Sequence, residues 1–133
     1  MKKLILLSFI SVFIASCSNE IAKYENSLTK EIGKEPNVNK QNGTDKKSQI
    51  IEWKDVNLGL QSNLKNTIDK TFGSLPIKTS ELMADTDREG NAIKGTFIQY
   101  WSYENSESKV ELSYQFEDNK PNTMNVKLFI TTK

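Results

Sequence analysis

Apolar positions along the chain form one dense run near the start, a sparse middle stretch, and patterned segments from residue 50 onward. Among the patterned segments the clearest is a helix. Leu60, Leu64, Ile68, Phe72 and Leu75 recur at spacings of four, four, four and three, which places them on one stripe. Ser62 or Asn57 is placed to cap its start. Gly73 fits a left-handed residue just past its end, and Pro76 prevents continuation. Lys65, Asn66, Asp69 and Lys70 occupy the other side.

Three segments after the helix read as strands. Thr96 to Tyr103 (TFIQYWSY) is β-branched and aromatic. Val110, Leu112, Tyr114 and Phe116 alternate with Glu111, Ser113 and Gln115, while Met124, Val126, Leu128 and Ile130 alternate with Asn125, Lys127, Phe129 and Thr131. Polar breaks at Glu104 to Ser108 and at Glu117 to Asn122 make this an antiparallel meander with one buried face. A weaker strand, Lys78 to Ala84, pairs with the first across a turn at Asp87 to Asn91, and Ile50 to Val56 alternates loosely as an edge strand. With Glu104 to Glu107 as a four-residue loop, Tyr103 faces Ser108 and Trp101 faces Val110, which turns Phe97 and Trp101 inward and leaves Ile98, Tyr100 and Phe129 outward. The fold class is therefore α+β, with one main helix packed on an antiparallel meander of three to four strands, residues 50–133.

The dense run is Leu4 to Ala15 (LILLSFISVFIA), apolar apart from Ser8 and Ser11, after Met1-Lys2-Lys3. Crossing a bilayer as a helix takes about 20 apolar residues, so twelve fit a secretory h-region better than a membrane span. Ile14-Ala15-Ser16-Cys17 follows: an aliphatic residue, two small residues and the only cysteine of the chain. In this the chain resembles a bacterial lipoprotein precursor. The resemblance covers residues 1–17. It implies a diacylglycerol thioether and palmitate on Cys17, cleavage between Ser16 and Cys17, and an extracytoplasmic protein of the cell envelope anchored in the membrane. Ser18, where some such proteins carry aspartate, would permit transfer to an outer membrane. Several acyl chains on one residue hold durably, at about 0.8 kcal/mol per buried methylene.

Residues 17–49 then read as the lipidated cysteine and a polar tether. Asn, Lys, Glu, Ser, Thr and Gln dominate, and Ile21, Tyr24, Leu28, Ile32 and Val38 are too few to offset ordering entropy. A flexible linker of that length spans about 30 Å. A short helix around Ile21 to Ile32, with Ile21, Leu28 and Ile32 near one face, is the other reading of the same stretch.

Charge and composition narrow the chemistry. Eighteen basic and 17 acidic side chains leave no strong field, which argues against a nucleic-acid partner. No histidine is present, so the commonest zinc ligand and the usual general base are missing. The lone cysteine has no partner within the chain and, on the lipoprotein reading, is committed to lipid. No glycine-rich phosphate loop occurs. Asp85-Thr86-Asp87-Arg88-Glu89-Gly90-Asn91 opens like a calcium loop, but Thr96 stands where the bidentate glutamate belongs, and a polar hairpin turn explains the same residues. Tyr100-Trp101-Ser102-Tyr103 reads as sheet packing rather than a stacking platform. The expectation is thus a chain with no catalytic residues, metal or cofactor.

Val56 to Pro76 (VNLGLQSNLKNTIDKTFGSLP) ahead of a β-meander is also similar in outline to the small-protein-A/outer-membrane-lipoprotein-A family and to β-lactamase-inhibitor-protein-like domains. The carriers are Gly59 before the helix, the aliphatic stripe, and the closing Phe72-Gly73-Ser74-Leu75-Pro76. That likeness implies protein binding. The expected function is an anchored accessory or assembly subunit that binds another envelope protein, with Ile98, Tyr100 and Phe129 as its candidate interaction surface. The alternative is an inhibitor or immunity protein that blocks an envelope or secreted enzyme through its loops.

Overall fold

The computed structural model describes residues 16–133. The chain order is α1 (Ser16–Ile32), β1 (Val38–Asn42), β2 (Asp45–Asn57), one 3-10 turn (Leu58–Leu60), α2 (Gln61–Phe72), β3 (Lys78–Thr79), β4 (Met83–Thr86), β5 (Ala92–Glu104), β6 (Ser108–Glu117) and β7 (Lys120–Thr132). The seven strands form one antiparallel open sheet in the order β1-β2-β7-β6-β5-β3, with β4 also paired to β5. Both helices lie on one face. The α+β class expected from the sequence holds, with more strands than the three to four expected.

Alternation with a period of two builds the core. Tyr103, Val110, Leu112, Tyr114, Met124, Val126, Leu128 and Ile130 point toward the helices and are buried, as are Ile51 and Trp53 of β2. Leu64 and Ile68 of α2 close over them. Each such side chain contributes about 1.5–3 kcal/mol of transfer free energy on leaving water. Two details of the sequence reading are corrected. Trp101 pairs with Leu112 and Tyr103 with Val110, because Asn105 to Glu107 make a tighter turn whose Asn105 Oδ1 accepts from the amides of Glu107 and Ser108. The displacement is two positions, so the inward and outward sets are unchanged. Leu75 also leaves the helical stripe: Gly73, at φ 89°, ends α2 and turns Leu75 into solvent.

The larger correction concerns residues 17–49. The expected flexible tether is α1, β1 and the first part of β2, and the folded unit does not begin at Ile50. Tyr24 and Leu28 are fully buried, with Ile21 and Ile32 packed beside them. These four residues are spaced three, four and four apart, so a few apolar residues on one stripe are enough to seat a helix whose other sides are polar. β2 accordingly lies between β1 and β7 rather than at the edge. The leader expected over residues 1–16 lies, apart from Ser16, outside the described residues.

A duplication underlies the arrangement. Offset by 40 residues, Asn26 matches Asn66, Lys30 matches Lys70, Gly33 matches Gly73 and Pro36 matches Pro76, while buried Tyr24 and Leu28 match buried Leu64 and Ile68. The loops after the two helices make the same bonds. The Gly33 and Gly73 amides donate to the carbonyls of Thr29 and Asp69 (2.8 and 2.9 Å), and the Asn37 and Ile77 amides donate to those of Glu52 and Ser102 (both 2.8 Å). Register repeats as well: Trp53 pairs with Val126 as Tyr103 pairs with Val110, and Ile51 with Leu128 as Trp101 with Leu112. The two halves are thus related by an approximate twofold axis normal to the sheet between β7 and β6.

That axis gives the fold two ends. At the lower end lie the start of α1, the turn between β1 and β2, the turn between β5 and β6, and the end of β7. The Tyr24 hydroxyl there faces the Ser108 side chain. At the upper end lie the turn between β6 and β7 and the starts of β5 and α2, where the Tyr114 hydroxyl donates to the Gln61 carbonyl (2.5 Å). The helices run in opposite senses, so the Gly33 loop lies toward the upper end and the Gly73 loop toward the lower one.

Candidate interaction surfaces

Ser16 and Cys17 stand in the first turn of α1, at the lower end. Tyr24, the first fully buried side chain among the described residues, is seven residues beyond Cys17.

Ile98, Tyr100 and Phe129 do occupy the sheet face away from the helices, each partly buried. They do not make one apolar patch. Ile98 pairs across the sheet with Gln115, Tyr100 with Ser113, and Phe129 with Glu111, so β6 places a polar row between β5 and β7. Lysines further cover two of the rings, with Lys78 Nζ 5.8 Å from the Tyr100 centroid and Lys127 Nζ 5.7 Å from that of Phe129. Ile98 instead joins Met83, its partner on β4, and Phe129 joins Ile50 on β2.

A more apolar surface opens at the upper end, on the helix side. Leu58 of the 3-10 turn, Phe97, Phe116, Leu82 and Pro121 line a groove of about 340 Å³, with Glu117, Asp118 and Lys120 among its other lining residues. Leu58 is held there because Asn57 Oδ1 accepts from the Gly59 amide (2.8 Å) and fixes the tight turn before α2. Leu82, Met83 and Ile93 are exposed close by on β4, its lead-in and the start of β5. A groove of this size with apolar walls and a charged rim suits an inserted apolar side chain of a protein partner. Sequence reading missed it because its members come from four separate segments. The adjacent exposed pair Leu82-Met83 in an otherwise polar stretch was the one local signal.

The aromatic run on β5 is divided by the pleat. Trp101 and Tyr103 face the helices, and Tyr100 faces away. Trp101, Tyr114 and Phe116 stack edge to face at centroid separations of 4.9 and 6.3 Å, which is sheet packing rather than a platform. A smaller polar cleft of about 240 Å³ between Lys65 and Asn66 of α2 and Gln99 and Trp101 of β5 lies over this ladder. Nearby, the Tyr103 hydroxyl donates to Asp69 Oδ1 (2.5 Å) and Lys65 Nζ meets Asp69 Oδ2 (2.7 Å), tying α2 to the sheet. Burial, reinforced by the Asp69 hydrogen bond, raises the Tyr103 hydroxyl above the usual phenol range; burial likewise raises Tyr114 and pushes Tyr24 up to about 12.

The acidic segment at Asp85 to Asn91 is a hairpin turn. Asp87 Oδ1 accepts from the amides of Glu89 and Asn91 (2.9 and 3.0 Å), and Gly90 takes φ 86°. Among the described residues no group of three acidic or thiol side chains converges as a metal site would require, and no helix is long and apolar enough to cross a membrane. The chain matches no protein-family model, no curated protein and no solved structure.

Proposed function

We propose that this chain is a lipid-anchored, extracytoplasmic protein of the bacterial cell envelope. Acyl chains on Cys17 hold it to the membrane, and it works without catalysis by binding another envelope protein as an accessory or assembly subunit. The lipobox at Ile14 to Cys17 supports the address. The observation that carries the binding role is the apolar groove of Leu58, Phe97 and Phe116, which opens at the end of the fold opposite Cys17. An anchor at the lower end points that groove away from the lipid and toward whatever lies above.

Affinity recovery from solubilised envelopes tests this, with the wild type beside Leu82→Asp and Phe116→Ala. The expected result is one protein recovered in near-stoichiometric amount with the wild type and lost with both variants. Recovery of nothing with the wild type contradicts the proposal. Retention by both groove variants, with loss on replacing Arg88 and Glu89, points instead to an inhibitor or immunity protein that acts through its upper hairpin turn.

A further inference from the structure

We propose that the lower end of the fold is seated directly on the lipid bilayer, with Leu75 and Ile77 inserted among the headgroups. The inference rests on the lipid-anchor reading of Cys17 and deepens it, by stating which surface the membrane covers.

The two side chains are the most exposed large apolar residues among those described, at 72% and 66%. They sit in the loop after α2, where the Ile77 amide is bonded to Ser102, two residues before the end of β5 and hence toward the lower end of the sheet. The duplication supplies an internal comparison. The equivalent loop after α1 has the same glycine, the same proline and the same hydrogen bonds, but it lies toward the upper end and carries Glu35 and Asn37 in place of Leu75 and Ile77. One backbone device is therefore polar where it would face water and apolar where it lies toward the anchor. Loop geometry does not demand this, since Glu35 and Asn37 are exposed in the same conformation.

Chain length keeps this end near the membrane. Tyr24 is in the core seven residues beyond Cys17, and seven residues span at most about 25 Å, so an acyl group buried in the membrane keeps the lower end close to the headgroup layer. Lys70, in the last turn of α2, and Lys78, at the start of β3, flank the apolar pair. Exposed Lys70 supplies an ammonium group to lipid phosphates, whereas Lys78 Nζ lies over the Tyr100 ring on the other face of the sheet. The nearby Glu104 carboxylate is already paired with Lys133 Nζ at 2.8 Å, which reduces its repulsion of an anionic surface.

The test uses the mature acylated protein in vesicles of phosphatidylethanolamine and phosphatidylglycerol. Single cysteines are introduced as Leu75→Cys, Ile77→Cys and, at the upper end, Asn119→Cys, and each is labelled with a thiol-reactive, environment-sensitive fluorophore. The thioether leaves position 17 unlabelled. Brominated lipid is expected to cause loss of fluorescence at 75 and 77 and none at 119. Labels at 75 and 77 that are as unquenched as the one at 119, on protein that still floats with the vesicles, overturn the seating and leave the anchor standing. Protein that takes label at Cys17 and does not float overturns both.

Discussion

Leu28 is the residue on which the placement of the N-terminal segment turns. Its side chain is fully buried between α1 and the sheet, in a stretch whose composition is that of a solvated linker. Truncating it removes apolar contact and leaves a cavity, so Leu28→Ala is expected to lower stability by about 2–5 kcal/mol in a urea melt, close to the effect of Ile68→Ala, its counterpart in α2. An unchanged midpoint for Leu28→Ala would return residues 18–49 to the status of a tether. The buried tyrosines give a second test at this scale. Tyr24, Tyr103 and Tyr114 have hydroxyls raised from an unfolded value of 10.0, mainly by burial. A raised folded pKa favours the protonated form, so its stabilisation is fully present below pH 10 and is lost as pH climbs toward the folded values. Ultraviolet absorbance of tyrosinate is therefore expected to rise for these three together with loss of circular dichroism, above pH 10. Ionisation of all three at pH 10 with the fold intact would contradict their burial.

At the scale of elements, the fold is two copies of a helix, a G-x-x-P loop and an edge strand. Gly33 and Gly73 end the helices at φ 84° and 89°, and a Cβ at either site meets nothing within 4 Å. The cost of alanine is then conformational alone. Gly33→Ala and Gly73→Ala are each expected to lower stability by about 1–2 kcal/mol, and to do so equally, measured by denaturant unfolding. A loss at Gly73 with none at Gly33 would mean that α1 is not held to the core. Much of the second copy was legible in the sequence. The Leu64 and Ile68 stripe, the glycine stop and the period-two strands all carry local signals strong enough to stand alone. The first copy was less so. Its helix has one buried residue per turn among glutamates, lysines and asparagines, and β1 (VNKQN) is an edge strand exposed along nearly all its length. Neither segment shows the density of apolar residues that marks structure. What orders them is β2, whose Ile51 and Trp53 need a cover, and the match of Asn26, Lys30, Gly33 and Pro36 to the second copy, which is too dispersed to stand out without the fold.

For the whole molecule, the proposed anchor and the groove lie toward opposite ends of the fold. The sequence proposes Cys17 as the anchoring residue, because a lipobox-like segment is a contiguous chemical signal. It could not locate the groove, since Leu58, Leu82, Phe97 and Phe116 meet only through the pairing of β4, β5 and β6 and the turn before α2. The outward set Ile98, Tyr100 and Phe129 was placed on the right face, yet β6 divides it, because alternation along one strand says nothing of what its neighbour contributes. The proposed role also depends on a covalent event at Cys17, and that event fixes how the body is oriented. Intact-mass spectrometry of the mature protein purified from membranes examines it most directly. The account predicts a polypeptide that starts at Cys17 with the added mass of a diacylglyceryl group, and a Cys17→Ala variant without it. A mature chain that retains Ser16 or earlier residues and carries a free thiol would contradict it.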